Sequence, residues 1–341
     1  SESRISVIYP YRGTVYMDNT TVIMMGDDEQ DAIRIGYSGT YGYGQYDINN
    51  SKILGLKNIG TGSGYYLQNG VLSITNSLLM HYNDEGDPMS SSVNFADICI
   101  QTAGFDNVRI EGNTLVDCHS GLYVPRNTYA TSTYYGGNGT NDLRVNGNTF
   151  VDSGRNMLWY ALGANVHDGQ FNDNQNIGRA PFYGFYSQDA TTHSVEIDNN
   201  DITAMNPIYL RYAREWTVTN NDITGVSNAA YAGIFALNGH GVITGNTLTD
   251  ADGGISVSGI RTGNDVHIED NNIGFSAGRL PTSAVGIDVD SCGLDEIFMS
   301  NNDVSTVMNG LNVDGCTVTD NNSAYTGLGG AAGRIFNVDI Q

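Results

Sequence analysis

The chain has 341 residues and a formal net charge of −22, because 37 Asp and Glu residues outnumber 15 Lys and Arg residues. This balance argues against a nucleic-acid ligand, whose phosphates require Lys and Arg, and against an anionic membrane surface. No apolar run approaches the roughly 18–20 residues of a transmembrane segment. With 43 Gly and 6 Pro residues, the composition favours many tight turns and no disordered linker.

The first 30 residues show no clear repeat, and we expect residues 1–30 to form an N-terminal cap without chemistry. Terminal repeats of repeat proteins are commonly atypical, because they cover the open end of the core. Residues 31–341 repeat at intervals of about 25 residues, which is typical of a solenoid. The chain begins at Ser1 without Met and ends at Gln341 inside a repeat. We therefore expect it to be part of a longer polypeptide.

One repeated pattern is an apolar residue, then Asn or Ser three positions later, then an apolar residue two positions further on. The flanking apolar/polar alternation has the period of a strand. Stacked coils would place equivalent residues about 4.8 Å apart, so that the Asn amides form a hydrogen-bonded ladder. The alternative is that Asn recurs because it favours turns. The Asn or Ser positions are 51, 77, 113, 148, 174, 200, 221, 246, 271, 302 and 321.

A second pattern repeats near the end of the chain. Ile287-Asp288-Val289-Asp290 recurs as Leu311-Asn312-Val313-Asp314 and again as Phe336-Asn337-Val338-Asp339. The sequence therefore predicts an all-β fold, a single solenoid of roughly 11–12 coils. Longer insertions are expected at about 80–95, 125–140 and 275–284, and long loops on a rigid scaffold often carry function.

These repeats resemble the right-handed parallel β-helix of the pectate-lyase-like superfamily. The resemblance covers about residues 30–341 and implies the right-handed sense of the coil. It rests on the style of the repeat and not on a catalytic motif.

A second strand of each coil has a central residue that should point outward, and this residue is aromatic on several consecutive coils. Rings beside Gln and Arg side chains suit sugars, which offer apolar C–H faces and hydroxyl edges. The alternative is that the rings merely cover the sheet, because aromatic residues pack well between strands. The same alignment places Cys99 in this outward row. The candidate ligand-binding residues are Tyr66, Tyr123, Trp159, Tyr209, Phe235 and Gln188.

Candidate catalytic residues are concentrated between positions 182 and 215. The resemblance implies proton removal beside a uronate carboxylate, which needs a base and a cation to neutralise the carboxylate. Tyr183-Gly184-Phe185 is similar to the opening of the mannuronan C5-epimerase signature, but the Asp and His of that signature are absent. Gly239-His240-Gly241 matches part of a galacturonase pattern whose Arg-Ile-Lys segment is missing, so we interpret it as a coincidence. The candidate catalytic residues are Arg211, Asp189, His193 and Tyr186.

Acidic residues form a further candidate site near the end of the chain. Like charges about 5 Å apart repel each other, so a column of carboxylates must be well hydrated or bridged by cations. Calcium, which takes carboxylate and carbonyl oxygens, suits such a column. No cofactor is required, and the alternative is the solvated acidic face of a salt-adapted protein. The candidate metal ligands are Asp288, Asp290, Asp314 and Asp339.

The 4 Cys residues leave two interpretations open. Cys292 and Cys316 are expected on adjacent coils, close enough for a disulfide where the geometry allows. Cys99 and Cys118 are less clearly aligned. The alternative is a buried ladder of free thiols, and no Cys/His spacing indicates zinc.

We expect an extracellular or cell-surface protein that binds a polysaccharide along the aromatic face. If it is an enzyme, we expect a polysaccharide lyase, epimerase or glycoside hydrolase. The alternative is a non-catalytic surface, adhesion or structural module of a larger protein, because the fold does not decide between the two. The acidic, Lys-poor composition suits a saline or calcium-rich medium, where cations screen the repulsion between carboxylates.

Overall fold

The computed structural model shows a series of short strands joined by turns and loops. The described residues are 13–23, 31–35, 44–55, 57–61, 67–81, 98–102, 105–124, 140–152, 154, 156–160, 166–187, 194–226, 232–251, 253–260, 264–274, 285–293, 295–307, 309–327 and 334–336. No helix occurs in these residues, and none that could cross a membrane is found in them. Their 36 strands fall into three sets of twelve. Each set takes every third strand along the chain, so that β1 is followed by β4 and β2 by β5.

The chain forms two compact units, and each is a stack of three-stranded coils. Unit 1 contains residues Ser1–Gln170 and Asn174–Pro181, and unit 2 contains Phe171–Asp173 and Phe182–Gln341. In each coil the first strand belongs to sheet 1, the second to sheet 2 and the third to sheet 3. Neighbouring strands of a sheet are parallel within each unit.

The strands of unit 1 are short, and most have three to seven residues. Sheet 1 contains β1 (Gly13–Asp18), β4 (Gly44–Asn49), β7 (Leu67–Thr75), β10 (Phe105–Glu111) and β13 (Thr140–Asn146). Sheet 2 contains β2 (Thr21–Ile23), β5 (Lys52–Gly55), β8 (Leu78–His81), β11 (Thr114–Val116), β14 (Thr149–Val151) and β17 (Gln175–Ile177). Sheet 3 contains β3 (Asp31–Ile35), β6 (Lys57–Thr61), β9 (Ile98–Gln101), β12 (Ser120–Val124) and β15 (Asn156–Tyr160). Strand β16 (Val166–Asn172) begins in unit 1 and ends in unit 2.

Unit 2 repeats the same order of strands. Sheet 1 contains β19 (Ser194–Asp198), β22 (Glu215–Thr219), β25 (His240–Thr244), β28 (Val266–Glu269), β31 (Glu296–Ser300) and β34 (Thr317–Asn321). Sheet 2 contains β20 (Asp201–Ala204), β23 (Asp222–Gly225), β26 (Thr247–Thr249), β29 (Asn272–Gly274), β32 (Asp303–Val307) and β35 (Ala324–Gly327). Sheet 3 contains β18 (Tyr183–Ser187), β21 (Asn206–Arg211), β24 (Ile234–Leu237), β27 (Ile255–Ser258), β30 (Val285–Asp290), β33 (Asn309–Asp314) and β36 (Arg334–Phe336).

Many strands bury alternate side chains, and this alternation creates the core of the coil. In β22, Trp216 and Val218 point inward and are 2% and 0% exposed, whereas Glu215 and Thr217 face solvent. Because the side-chain period of a strand is two, a fixed register keeps the same inward positions on the inner side from coil to coil. The predicted all-β solenoid of roughly 11–12 coils is confirmed. One inward column of sheet 1 reads Ile197, Val218, Ile243, Ile268 and Met299.

The predicted Asn ladder is confirmed at the turn between sheets 1 and 2 of both units. The buried amide of Asn221 donates to Asn246 Oδ1 and to the carbonyl oxygen of Ile197, both at 2.9 Å. Its Oδ1 accepts from the backbone N (3.0 Å) and the side-chain N (2.8 Å) of Asn200. The ladder residues are Ser51, Ser77, Asn113, Asn148 and Asn174 in unit 1 and Asn200, Asn221, Asn246, Asn271, Asn302 and Ser323 in unit 2.

The last ladder residue differs from the prediction. Ser323 accepts from the backbone N of Asn302 at 3.2 Å, whereas the predicted Asn321 is the final residue of β34 and pairs with Ser300. The weak copy of the pattern around Asn321 had suggested a turn two residues too early.

The residue before each ladder residue has a left-handed backbone. The angle φ is 47° at Asn50, 54° at Asn220 and 67° at Gly245. Asn, Asp and Gly tolerate this conformation better than other residues. This requirement explains why the ladder Asn is so often preceded by Asn, Asp or Gly.

The regular coil begins earlier than the sequence analysis predicts. Strand β1 pairs with β4 in register over all six of its residues, and β2 pairs with β5. Residues 13–23 therefore belong to the first coil and not to the predicted cap at 1–30. The repeat was hidden because Thr20 stands where later coils have Ser or Asn, although its backbone N still donates to Ser51 Oγ at 3.3 Å. The three predicted insertions lie almost entirely outside the described residues.

All four Cys residues form disulfides. Cys292 and Cys316 are joined across adjacent coils of unit 2, with their Cα atoms 5.0 Å apart, as one of the two interpretations predicted. Cys99 and Cys118 are joined in unit 1, with Cα atoms 5.5 Å apart. The predicted outward position of Cys99 is wrong, because this residue is 1% exposed. The alternative of a free-thiol ladder is excluded.

Candidate ligand-binding face

Sheet 3 of unit 2 carries three aromatic residues in register on its outward side. Tyr186 of β18 pairs with Tyr209 of β21, which pairs with Phe235 of β24. The residues before and after each of them are buried, so the alternation of the strand turns the three rings away from the core. The row continues with small or polar residues, which are Ser256, Asp288 and Asn312.

The rings form one continuous group, which we call the aromatic patch (Phe182, Tyr183, Tyr186, Tyr209 and Phe235). Tyr209 stacks on both of its neighbours, with centroids 5.0 Å from Tyr186 and 5.0 Å from Phe235 and interplanar angles of 24° and 13°. Tyr183 lies 4.2 Å from Tyr186 and meets Tyr209 edge-on at 5.7 Å. Phe182 packs edge-on against Tyr183 at 4.7 Å. The sequence analysis named Tyr183 only as part of the Tyr183-Gly184-Phe185 segment and did not name Phe182, which precedes β18.

The exposure of the rings differs from the prediction of an exposed column. Tyr209 is only 5% exposed, because neighbouring rings stack on both of its faces. Tyr186 and Phe235 are half-buried. Tyr209 is therefore the centre of a packed stack, and the surface of the patch is formed by the partly exposed rings around it.

Arg211 adds a positive charge beside the aromatic patch. It ends β21, two positions after Tyr209, and its Nη2 donates to the hydroxyl of Tyr212 at 3.1 Å. The Tyr212 ring centroid lies 4.9 Å from the guanidinium carbon. The hydrogen bond to the Tyr212 hydroxyl raises the pKa of Arg211, and the nearby oxygens of Tyr209 and Tyr186 act in the same direction against burial. The guanidinium therefore stays charged at neutral pH.

The Nε atom of Arg211 is buried and has no hydrogen-bond partner among the described residues. No acidic side chain in the described part of the chain forms a salt bridge with this residue. Glu215, the residue that begins β22, lies 3.7 Å from His240 Nε2. Arg211 is thus a cation held by the hydroxyl and the ring of Tyr212.

Tyr212 has an unusual backbone for its residue type, because its φ is 68°. A bulky residue is rarely found in this left-handed region, and the conformation costs on the order of 1 kcal/mol. Among the described residues with positive φ, the others are Asn, Asp, Ser or Gly. Aligning this turn across coils would have identified Tyr212 from the sequence, because the equivalent residues are Asn238, Gly259, Ser291 and Gly315.

The structure brings together two of the four candidate catalytic residues. Arg211 and Tyr186 lie on adjacent strands of sheet 3. Asp189, His193 and the ligand-binding candidate Gln188 lie outside the described residues. The described residues therefore contain only two of the four candidate catalytic residues, and a catalytic role for the four stays a prediction.

The predicted aromatic row of unit 1 is partly wrong. Tyr123 and Trp159 are in register, and burial raises the pKa of Tyr123, which is 9% exposed. The preceding positions of this row are Gln101 and Gly60, whereas Tyr66 was predicted there and lies outside the described residues. The strand β6 escaped notice because Gly60 has no side chain and interrupts the pattern.

Two of the candidate metal ligands take part in hydrogen bonds between coils. Asp288 accepts from Asn312 Nδ2 at 2.7 Å, and Asp290 accepts from the hydroxyl of Ser258. Burial raises the pKa of Asp288, the hydrogen bond from Asn312 opposes this effect, and the charge of Asp290 adds to it. Asp314 continues the row of Asp290 on β33.

The register of the last strand in sheet 3 differs from the register that the predicted carboxylate column requires. Strand β36 pairs Phe336 with Asp314, three positions away from the register that the repeat predicted, and Asp339 lies outside the described residues. No group of three or more His, Cys, Asp or Glu side chains is placed to hold a metal ion within the ranges that the structure describes. Calcium binding therefore stays a prediction for Asp288, Asp290 and Asp314.

Comparison with known families supports the fold and names no activity. The family model described as "Right handed beta helix region" matches residues 171–326. No curated protein and no solved structure matches the chain. The family match and the parallel sheets together show a right-handed parallel β-helix.

Proposed function

We propose that this right-handed parallel β-helix binds an acidic polysaccharide on sheet 3 of unit 2. The observation that carries the proposal is the aromatic patch with Arg211 at its margin. Partly exposed rings contact the C–H groups of sugars, and tyrosine hydroxyls exchange hydrogen bonds with sugar hydroxyls. Contiguous exposed aromatic surface is a common mark of a binding site.

The charge of Arg211 favours a glycan that carries carboxylates. A guanidinium can donate two parallel hydrogen bonds to one carboxylate. The net charge of −22 repels anions in general, so a carboxylate needs a local cation to be held. The buried Nε without a described partner and the fixed Nη2 favour a guanidinium that is oriented before the ligand arrives.

The backbone of Tyr212 supports the same site. A left-handed bulky residue persists only where the surrounding structure compensates its cost, and such residues are concentrated at functional sites. Here the strained residue is the one that holds Arg211 through its hydroxyl. A structural role alone would be served better by Asn or Gly, as on the neighbouring coils.

The two disulfides support an extracellular or cell-surface location. Disulfides persist in oxidising compartments and are rare in the reducing cytosol. Both join neighbouring coils, and an exposed polysaccharide ligand is expected in the same compartment. We propose binding as the primary role, and turnover by a lyase, epimerase or hydrolase mechanism stays a prediction that depends on Asp189 and His193.

Calorimetry with two oligosaccharides of equal length, one of uronate residues and one neutral, tests the proposal. We expect Arg211→Lys to weaken uronate binding about tenfold, because Lys cannot make the paired hydrogen bonds, and to leave neutral binding unchanged. Tyr186→Ala should weaken binding of the uronate oligosaccharide about fivefold. The control is Arg109→Lys, an exposed residue on β10 of unit 1. Equal binding of the uronate ligand by the wild type and both site variants would contradict the proposal.

A further inference from the structure

On the outward side of sheet 2 in unit 1, one position of each strand is apolar, and we call these residues the apolar row. Six residues on six successive coils are in register, and none of them is polar. Ile23 and Ile177 at the two ends are 55% and 52% exposed, and the four between them are half-buried. The apolar row consists of Ile23, Leu54, Met80, Val116, Val151 and Ile177.

The neighbouring outward row of the same face carries no acidic residue. Its only charged member is Lys52, although the whole chain has 37 Asp and Glu residues. Two copies of a chain with net charge −22 repel each other, but these two rows bring no carboxylate into the centre of the contact. The nearest acidic residues that the structure describes are Asp117 and Asp152, which directly follow the apolar row at the turn. The row consists of Thr21, Lys52, Leu78, Thr114, Thr149 and Gln175.

We propose that this face associates with the same face of a second copy of the chain. A two-fold axis parallel to the strands makes the face complementary to itself, as a symmetric dimer requires. It places Ile23 opposite Ile177 of the second copy, and it places Met80 opposite Val116 of the second copy. In this arrangement the apolar row meets an apolar row, and the two sheets pack face to face about 10 Å apart.

The other in-plane two-fold axis fits less well. An axis along the stack of coils would place the apolar row opposite the row of Thr, Lys and Gln residues. Lys52 would then lie against Leu54 of the second copy and lose water without gaining a partner. With the first axis, Lys52 lies opposite Thr149 of the second copy, and no two like charges meet.

The size of the face limits the strength of the association. Six strands about 4.8 Å apart, with outward rows on strands of about 10 Å, give a footprint on the order of 300 Å² per copy. The total of roughly 600 Å² is below the roughly 1,000 Å² that a stable specific interface exceeds. We therefore expect a weak, transient dimer with a Kd in the high micromolar range, and not a permanent one.

Sedimentation velocity from about 1 to about 200 µM protein measures the association directly. We expect a reversible shift from monomer to dimer that increases between about 0.1 and about 1 M NaCl, because salt screens the repulsion between the two acidic chains. Val116→Glu should weaken the association at least tenfold. Thr224→Glu is the matched control, because Thr224 has the equivalent position on sheet 2 of unit 2, and it should dimerise like the wild type.

A mixture of two variants tests the arrangement of the two copies. Met80→Lys alone should also reduce the association, and an equimolar mixture of Met80→Lys with Val116→Glu should restore it, because the new charges meet across the interface. Circular dichroism confirms that each variant is folded, which is expected because both side chains point outward. A monomer under all conditions would overturn the proposal. Loss of association in Thr224→Glu, or a mixture no stronger than its components, would overturn it as well.

Discussion

Sheet 2 has the same architecture in both units, but its outward rows have opposite polarity. In unit 1 the row that contains Val116 is apolar on six coils. In unit 2 the equivalent row reads Thr203, Thr224, Thr249 and Gly274, and the row beside it contains Asp201 and Asp222. Most inward residues between these rows are aliphatic in both units, for example Leu115 and Ile223, although the row of unit 1 also contains Phe150 and Asn176. The interior therefore varies less than the surface.

Sheet 3 of unit 2 shows the same contrast, because its outward residues vary along the stack more than its inward residues do. Along unit 2 the outward residues change from aromatic at Tyr186 and Phe235 to acidic at Asp288, while the inward residues beside them are apolar with the exception of Ser187. The inward pattern and the Asn ladder determine the coil, and the outward residues are free to carry function. We therefore expect inward substitutions to affect stability and outward ones to affect binding.

The largest effect on stability should come from the Asn ladder, which is present in both units. Asn148→Ala in unit 1 and Asn221→Ala in unit 2 each remove four hydrogen bonds and leave buried partners unsatisfied. We expect each variant to lose about 3–4 kcal/mol in the free energy of unfolding. Asn272→Ala, at an exposed position of β29, is the control and should lose less than about 0.5 kcal/mol.

Urea unfolding followed by circular dichroism measures these losses. Similar losses in Asn148→Ala and Asn221→Ala would support the view that the interior varies less between the units than the surface. A loss below about 1 kcal/mol in both would show that the ladder is a by-product of the turn and not a source of stability.

A smaller effect of opposite sign should come from Tyr212, which links the surface to the backbone. Tyr212→Asn replaces a strained residue with the type found at the equivalent Asn238, so we expect a gain of about 1 kcal/mol in the free energy of unfolding. The same variant loses the hydroxyl that holds Arg211, and its affinity for a uronate oligosaccharide should fall several-fold. Thermal unfolding and calorimetry measure the two quantities. Greater stability with unchanged affinity would remove Tyr212 from the binding site.

The smallest effect concerns the pH dependence of the acidic end of sheet 3. Because burial raises the pKa of Asp288, its ionisation disfavours the folded state. The protonated side chain therefore stabilises the folded state relative to the ionised one. This stabilisation is fully present below the usual pKa of Asp, about 3.9, and it is lost as the pH rises through the higher pKa of the folded state. Asp288→Asn should therefore be more stable than the wild type at pH 7 by a few tenths of a kcal/mol, because the side chain is partly solvated.

The difference between Asp288→Asn and the wild type should disappear near pH 3.5, below the usual pKa of Asp. The exposed Asp265→Asn serves as the control. Urea midpoints at the two pH values measure the effect. A wild type that is more stable than Asp288→Asn at pH 7 would indicate that the carboxylate has a stabilising partner, such as the predicted calcium ion.

The fold could be predicted from the sequence because its signal recurs on every coil. Asn221 and Asn246 are recognisable by their spacing, and one misread copy, such as Asn321, does not change the conclusion. The candidate site has no such redundancy. The burial of Tyr209 depends on stacking with both neighbours, and the role of Tyr212 depends on a backbone angle, so neither follows from alternation alone. The register error at Tyr66 occurred where Gly60 interrupts the pattern. The error at Asp339 occurred because the offset between β33 and β36 differs from the offset between β30 and β33.

Hydroxyl-radical footprinting of dilute protein, with and without a uronate oligosaccharide, tests most directly where the ligand binds. Tyr, Phe and Met side chains are readily oxidised, so each unit contains its own reporters. We predict that the ligand protects Tyr183, Tyr186 and Phe235 in unit 2 and leaves the oxidation of Met80 in unit 1 unchanged. Protection of Met80 without protection of the aromatic patch, or no protection at saturating ligand, would contradict the assignment of glycan binding to sheet 3 of unit 2.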